Sequence, residues 1–186
     1  MQRRIRQALD DALPGPIRVL SLCAGQGRDL LETVPDHPRR DDVSGLLVEL
    51  DERNVSQARS LAQEAGLDAI EVVQADASNT SAFAAGVPAD LLLVCGVYGN
   101  ISDADIANTV RHLPELCASD AVTLWTRHRA APDLTPAIRQ WYVDAGFEEV
   151  AFDIEDGFLF GVGTARLTVP PPSYVPDHHL FDFVGH

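Results

Sequence analysis

The chain has 186 residues, 46% of them hydrophobic, and a formal net charge of −14. That length suits one domain around one substantial core, and the surplus of acid argues against a general affinity for nucleic-acid backbone or anionic membrane. Every Lys/Arg-type cation is an arginine, which excludes a Walker phosphate loop, Schiff-base lysine chemistry and a Tyr-x-x-x-Lys dehydrogenase pair.

Residues Gln2 to Leu13 place Ile5, Leu9, Ala12 and Leu13 at helical spacing, and Pro14-Gly-Pro16 stops them. The basic start Met1-Gln-Arg-Arg-Ile-Arg runs into Gln-Ala-Leu-Asp-Asp rather than an apolar stretch, so it does not read as a secretory signal. Strand and helix patterns then alternate. Strands are predicted near 17–22, 45–50, 70–74, 90–95 and 121–126, with helices near 28–34, 53–65, 103–117 and 134–145. Strands this apolar between helices imply a parallel sheet covered on both faces.

After Gly146 the rhythm changes. Phe147 to Ile154 and Phe158 to Leu167 are β-rich runs separated by Glu155-Asp-Gly157, a hairpin signal that makes the last strand antiparallel. The Pro-rich tail, 168–186, starts as extended or mobile chain, with Leu180-Phe-Asp-Phe-Val184 as a segment that can dock on the sheet edge. No repeat or linker divides the chain, which is read as one domain over 1–186, with a leading helix over 1–14 and a core over 17–167. No apolar run reaches the length of a membrane span. Cys23, Cys95 and Cys117 are odd in number and lack a Cys-x-x-Cys pair, so a reducing cytoplasm and no metal site are expected.

The chemistry-bearing segment is Ile17-Arg-Val-Leu-Ser-Leu-Cys-Ala-Gly-Gln-Gly-Arg-Asp29, an apolar strand that breaks at Gly25-x-Gly27 and enters a helix. An acid, Glu49, ends the next apolar run 22 residues after Gly27. Such a turn presents free backbone N–H groups, and an acid at the tip of the second strand can accept both hydroxyls of a ribose. The pattern reads as a site for a ribose-bearing cofactor. A dinucleotide fingerprint needs a third glycine for close approach to a pyrophosphate, and Leu30 stands there.

With S-adenosylmethionine (SAM) as the common adenosine cofactor without a pyrophosphate, Val19 to Gly27 resembles the first strand and turn of class I SAM-dependent methyltransferases. Ser21 replaces the usual acid and Cys23 the usual first glycine. The similarity continues in order to about Leu167. Leu47 to Asp51 resembles the second strand with its ribose-binding acid, Glu71 to Ala77 the third strand with its adenine-binding acid, and Ala89 to Gly96 the fourth strand. The resemblance implies a doubly wound α/β fold, a seven-stranded, mostly parallel sheet of order 3-2-1-4-5-7-6 with strand 7 antiparallel and helices on both faces. It also implies SAM as cofactor and a small-molecule acceptor.

Carried over residue by residue, the resemblance assigns cofactor contacts to Ala24, Gly25, Gln26 and Gly27 at the methionine end and to Glu49 and Leu50 at the ribose. Asp76 and Ala77 fall at the adenine, and Cys95 and Gly96 under the sulfonium. Arg28 either holds the methionine carboxylate or pairs with Asp29 on the surface. Asp29 either faces the cofactor amino group or serves as a helix-start acid.

Methyl transfer requires alignment of donor and acceptor and, for a weak nucleophile, removal of a proton. Tyr98 and Asn100 follow the fourth strand and are candidates to position the nucleophile; Asn100 is equally a turn residue. His128, in Thr126-Arg-His-Arg129 after the fifth strand, is the candidate general base; the alternative is a loop of solvated charges. His178-His179 in the tail suggests a metal only weakly, and His37, His112 and His186 read as surface residues. The Asn/Asp-Pro-Pro-Tyr/Phe signature of amino-group methylation on DNA bases is missing. Short acceptor segments imply an open pocket for a dimer partner or a further N-terminal segment to close. A SAM-binding regulatory or partner protein without transfer activity is the alternative reading.

Overall fold

The computed structural model describes residues 1–154 and 159–184. The chain runs α1 (Gln2–Asp11), β1 (Ile17–Leu22), α2 (Arg28–Leu31), β2 (Val43–Glu49), α3 (Glu52–Glu64), β3 (Ile70–Gln74), β4 (Ala89–Val94), α4 (Asp103–His112), β5 (Cys117–His128), α5 (Thr135–Asp144), β6 (Phe147–Ile154) and β7 (Phe160–Leu167). The seven strands form one sheet in the order β3-β2-β1-β4-β5-β7-β6. The first five are mutually parallel, and β7 runs antiparallel to both β5 and β6.

Alternation along the strands explains why helices cover both faces. Val19, Leu47, Leu91 and Leu93 point to one side, where Ile5 and Leu9 of α1, Leu30 and Leu31 of α2 and Val55, Ala58 and Ala62 of α3 bury them. Leu20, Leu22, Leu46, Leu92 and Val94 point to the other, against Ile106 and Val110 of α4 and Ile138 and Tyr142 of α5. On that second face Trp125 stacks on Tyr142 at 5.7 Å between ring centres. Gly163 opposite makes room for it, since a Cβ there would fall 2.1 Å from the indole ring.

Three elements differ from the sequence expectation. The helix expected over 103–117 stops at His112 and tightens into a 3₁₀ turn at Leu113–Leu116, because Pro114 lacks the amide a continuing helix needs and restricts the residue before it. β5 therefore starts at Cys117 and extends to His128, so Thr126, Arg127 and His128 are strand residues rather than the loop after a strand. The helix expected over 28–34 is a single turn, Arg28–Leu31. The hairpin turn expected at Glu155-Asp-Gly157 lies outside the described residues.

The tail does not lie along a sheet edge. It crosses the loops beyond the C-terminal ends of β3 and β4, forming isolated bridges between Asn79 and His179 and between Ile101 and Phe183. The Leu180 amide donates to Ser78 O at 2.7 Å and the Val184 amide to Asn100 O at 2.9 Å, while the side chains of Leu180 and Phe181 are fully buried. Buried apolar groups and paired backbone amides hold this end of the chain in place.

Candidate functional site

The site lies beyond the C-terminal ends of β1, β2, β3 and β4, where a doubly wound sheet opens at its switch point. After β1 the backbone turns through left-handed conformations at Cys23, Gly25 and Gly27, with φ of 51°, 57° and 67°. Gly27 is fixed by space as well as by backbone. A Cβ there would come within 2.7 Å of Leu47 Cδ2 and 2.9 Å of Leu31 Cδ1. Gly25 has the same backbone requirement, yet no atom would meet its Cβ within 4 Å, because it faces the open cleft. Cys23 adopts this conformation with a side chain, at a cost that glycine avoids.

Glu49, only 9% exposed, holds the turn. Its Oε2 accepts the Gly25 amide at 2.7 Å and its Oε1 the Asp51 amide at 2.9 Å. A carboxylate has about four lone-pair sites, so roughly two remain for a ligand. Asp51 caps α3, accepting the amides of Arg53 and Asn54, a helix-start role. Asp76 accepts the Ser78 amide at 2.8 Å through one oxygen and is otherwise exposed.

Two adjoining recesses meet at Cys23. The larger, about 620 Å³, is lined by Ala24, Gly25, Gln26, Gly27, Arg28, Asp29, Cys95 and Gly96, together with Met1, Asn54, Thr126, Phe160 and Val162. The smaller, about 330 Å³, is lined by Glu49, Leu50, Asp51, Asp76 and Ala77, with Phe183 from the tail. The twelve residues that the resemblance assigned to a cofactor therefore all border this double recess. Arg28 is committed locally: its guanidinium donates to Gln26 Oε1 at 2.9 Å and pairs with Glu32 at 3.0 Å, not with Asp29.

The acceptor-side candidates are placed differently. Tyr98, expected beside the acceptor, is fully buried, its hydroxyl 2.9 Å from that of Tyr142 in the aromatic cluster around Trp125. Its ring packs beside Trp125 and its hydroxyl meets Tyr142, so it belongs to the core instead. Asn100 donates its side-chain amide to Gly96 O at 2.6 Å, closing the loop after β4, the turn role that its residue type also suggested. His128 is exposed and packs edge-on to Phe160, whose ring walls the larger recess. None of these three residues lines that recess.

The thiols at the site are held protonated. Burial, followed by the carboxylates of Glu49 and Asp76, pushes Cys23 up to about 12. Burial, with Asp29 next, raises Cys95 as well. Sequence reasoning missed Thr126, Phe160, Val162 and Phe183. The first three were in principle accessible, because alternate residues of β7 and the end of β5 must face the same side as Gly96 once the strand order is known. Phe183 carried no such signal, because its placement depends on the path of the tail. His37, read as a surface residue, is buried, accepting the Arg39 amide at Nδ1 and facing Asp10 through Nε2 at 3.1 Å.

A family model described as "Putative methyltransferase" matches residues 1–141. The chain belongs to this methyltransferase family. No curated protein matches it in sequence. Among solved structures it is similar to an O-methyltransferase family protein from Burkholderia thailandensis, with a TM-score of 0.69 at 14% identity over 90% of this chain and 56% of that one. It is also similar to magnesium protoporphyrin IX methyltransferase from Synechocystis with bound SAM, with a TM-score of 0.70 at 13% identity over 90% and 78% of the two chains. A third is 1,6-didemethyltoxoflavin-N1-methyltransferase from Burkholderia thailandensis, with bound 1,6-didemethyltoxoflavin and S-adenosylhomocysteine, with a TM-score of 0.66 at 18% identity over 90% and 78%. The chain thus spans just over half of the first of these, and at these identities the likeness is one of fold.

Proposed function

We propose that the protein is a SAM-dependent methyltransferase acting on a small-molecule acceptor. The observation that carries the reading is the Glu49 carboxylate, which lines the smaller recess and is fixed by the Gly25 and Asp51 amides with lone pairs to spare. Ribose hydroxyls fit those lone pairs, adenine fits between Asp76, Ala77 and Phe183, and the methionine end fits the 24–27 turn in the larger recess. SAM, when bound, supplies an electrophilic methyl group on a sulfonium. The protein orients donor and acceptor in the larger recess, beside the wall of Phe160 and Val162.

A small acceptor is supported by the dimensions of the open recess, by the acidic surface, and by likeness of fold to enzymes whose names specify small molecules. A second reading, SAM binding without transfer, draws on one observation: Tyr98, Asn100 and His128 all lie outside the lining of the larger recess. Calorimetric titration with SAM, S-adenosylhomocysteine and NAD, repeated on Glu49→Ala, tests the cofactor. Micromolar-range binding of the first two, lost in the variant, supports it; binding of NAD alone or of none opposes it. Product mass after incubation with SAM and an acceptor panel then separates transfer from binding.

A further inference from the structure

The tail carries a second cluster that the cofactor site does not use. One ring nitrogen of each of His112 and His178 and one carboxylate oxygen of Glu115 lie within 4.8 Å of one another. His112 ends α4, and Glu115 follows three residues later in the 3₁₀ turn imposed by Pro114, where residues three apart share a side. His178 comes from the tail, 63 residues beyond Glu115. Its backbone is pinned at both ends, the amide donating to Thr80 Oγ1 at 2.9 Å and the carbonyl accepting the Thr80 amide at 3.0 Å.

We propose that His112, Glu115 and His178 form a binding site for a divalent transition-metal ion of the zinc type, which clasps the C-terminal tail to α4. Two imidazoles and one carboxylate are a zinc-compatible donor set, with bonds of about 2.0–2.2 Å and one position left for water. The tautomer of His112 suits the role: Nδ1 lies 2.8 Å from the Asn108 carbonyl, which only accepts, so Nδ1 carries the proton and Nε2 keeps its lone pair. That carbonyl is the outer partner a metal-bound histidine ordinarily has. Nδ1 of His178 and Oε2 of Glu115 face each other at 3.2 Å and are both buried without a hydrogen bond. Two such atoms want a shared partner, and a cation between them satisfies both. The neighbouring His179 is unlike these three: it is exposed and pairs with Asp182.

The test uses the full chain, stripped of metal by chelator dialysis, and zinc alone as probe. Zinc is titrated in competition with a chromogenic chelator, and thermal unfolding is followed with and without zinc. The expected result is one tight equivalent per chain and a Tm that rises with zinc concentration. Both should be lost in His112→Ala and His178→Ala, with affinity falling by more than the roughly 10–100-fold that loss of an outer partner costs. Glu115→Gln keeps the size of the side chain and its ability to accept from His178, so it separates loss of a metal ligand from loss of the fold. His179→Ala should bind as the parent does. Absence of a tight equivalent in the parent, or its retention in Glu115→Gln and His178→Ala, overturns the proposal and leaves a His178–Glu115 ion pair. Neither readout depends on SAM.

Discussion

Glu49 and Gly25 join two strand ends: the carboxylate at the tip of β2 accepts the amide of the turn after β1 at 2.7 Å. The turn is thereby shaped before any ligand arrives, and its two glycines carry separate duties that substitution can tell apart. Gly27→Ala meets Leu47 and Leu31 in the core at a φ of 67°. Left-handed strain of about 1–2 kcal/mol and overpacking of about 1–3 kcal/mol should both appear as lost stability in urea unfolding. Gly25→Ala has open space around it, so it should cost only the left-handed strain of about 1–2 kcal/mol while its methyl group intrudes on the recess and weakens SAM binding. Equal stability losses would refute this division of labour.

Tyr98 and Tyr142 satisfy each other in the core. Tyr98→Phe should destabilise the protein by about 1–3 kcal/mol, because the Tyr142 hydroxyl is left buried without a partner. Adding Tyr142→Phe should recover part of that loss. Cofactor affinity should be unchanged in both variants, and a selective fall in turnover with intact stability would restore Tyr98 as an acceptor-side residue.

Phe183 borders the smaller recess with Asp76 and Ala77, and its own side of the tail is half exposed. Phe183→Ala should lower SAM affinity by about 1 kcal/mol, near fivefold, the low end of base–aromatic stacking, with little change in Tm. An unchanged dissociation constant in calorimetry would remove Phe183 from the site.

Alkaline pH should weaken the fold. Cys23 and Cys117 are each pushed up to about 12, mainly by burial, and the buried Tyr142 hydroxyl is raised in the same direction. An unfolded thiol loses its proton near about 8.5, so above that pH the folded state binds more protons and stability falls as pH rises toward 12. Below about pH 7 these groups are almost fully protonated in both states and contribute little slope. Urea midpoints at pH 7.5 and 10 check the sign, and thiol-reactive dyes should label the native protein slowly at neutral pH.

The parallel sheet was legible because apolar strands between helices must be covered on both faces, its strand order came only with the family resemblance, and the turn and its acid were legible because both are local to the strand ends. What the sequence hid was long-range. The inward turn of Tyr98 depends on a partner 44 residues away, and the closeness of His178 to His112 depends on where Thr80 catches the tail. The extension of β5 to His128 follows from its antiparallel pairing with β7, where His128 lies opposite Phe160, a neighbour no local pattern announces.

The path of the tail has one more consequence. Met1 lines the larger recess and Phe183 the smaller, so both ends of the described chain lie beside the same opening, while the Pro14–Pro16 loop and Asp120 of β5 lie against a recess near the start of β1. A fluorophore attached beside Met1 or Phe183 starts next to that opening. Surface immobilisation and labelling are better directed to the opposite rim of the sheet, where an attachment leaves the mouth clear.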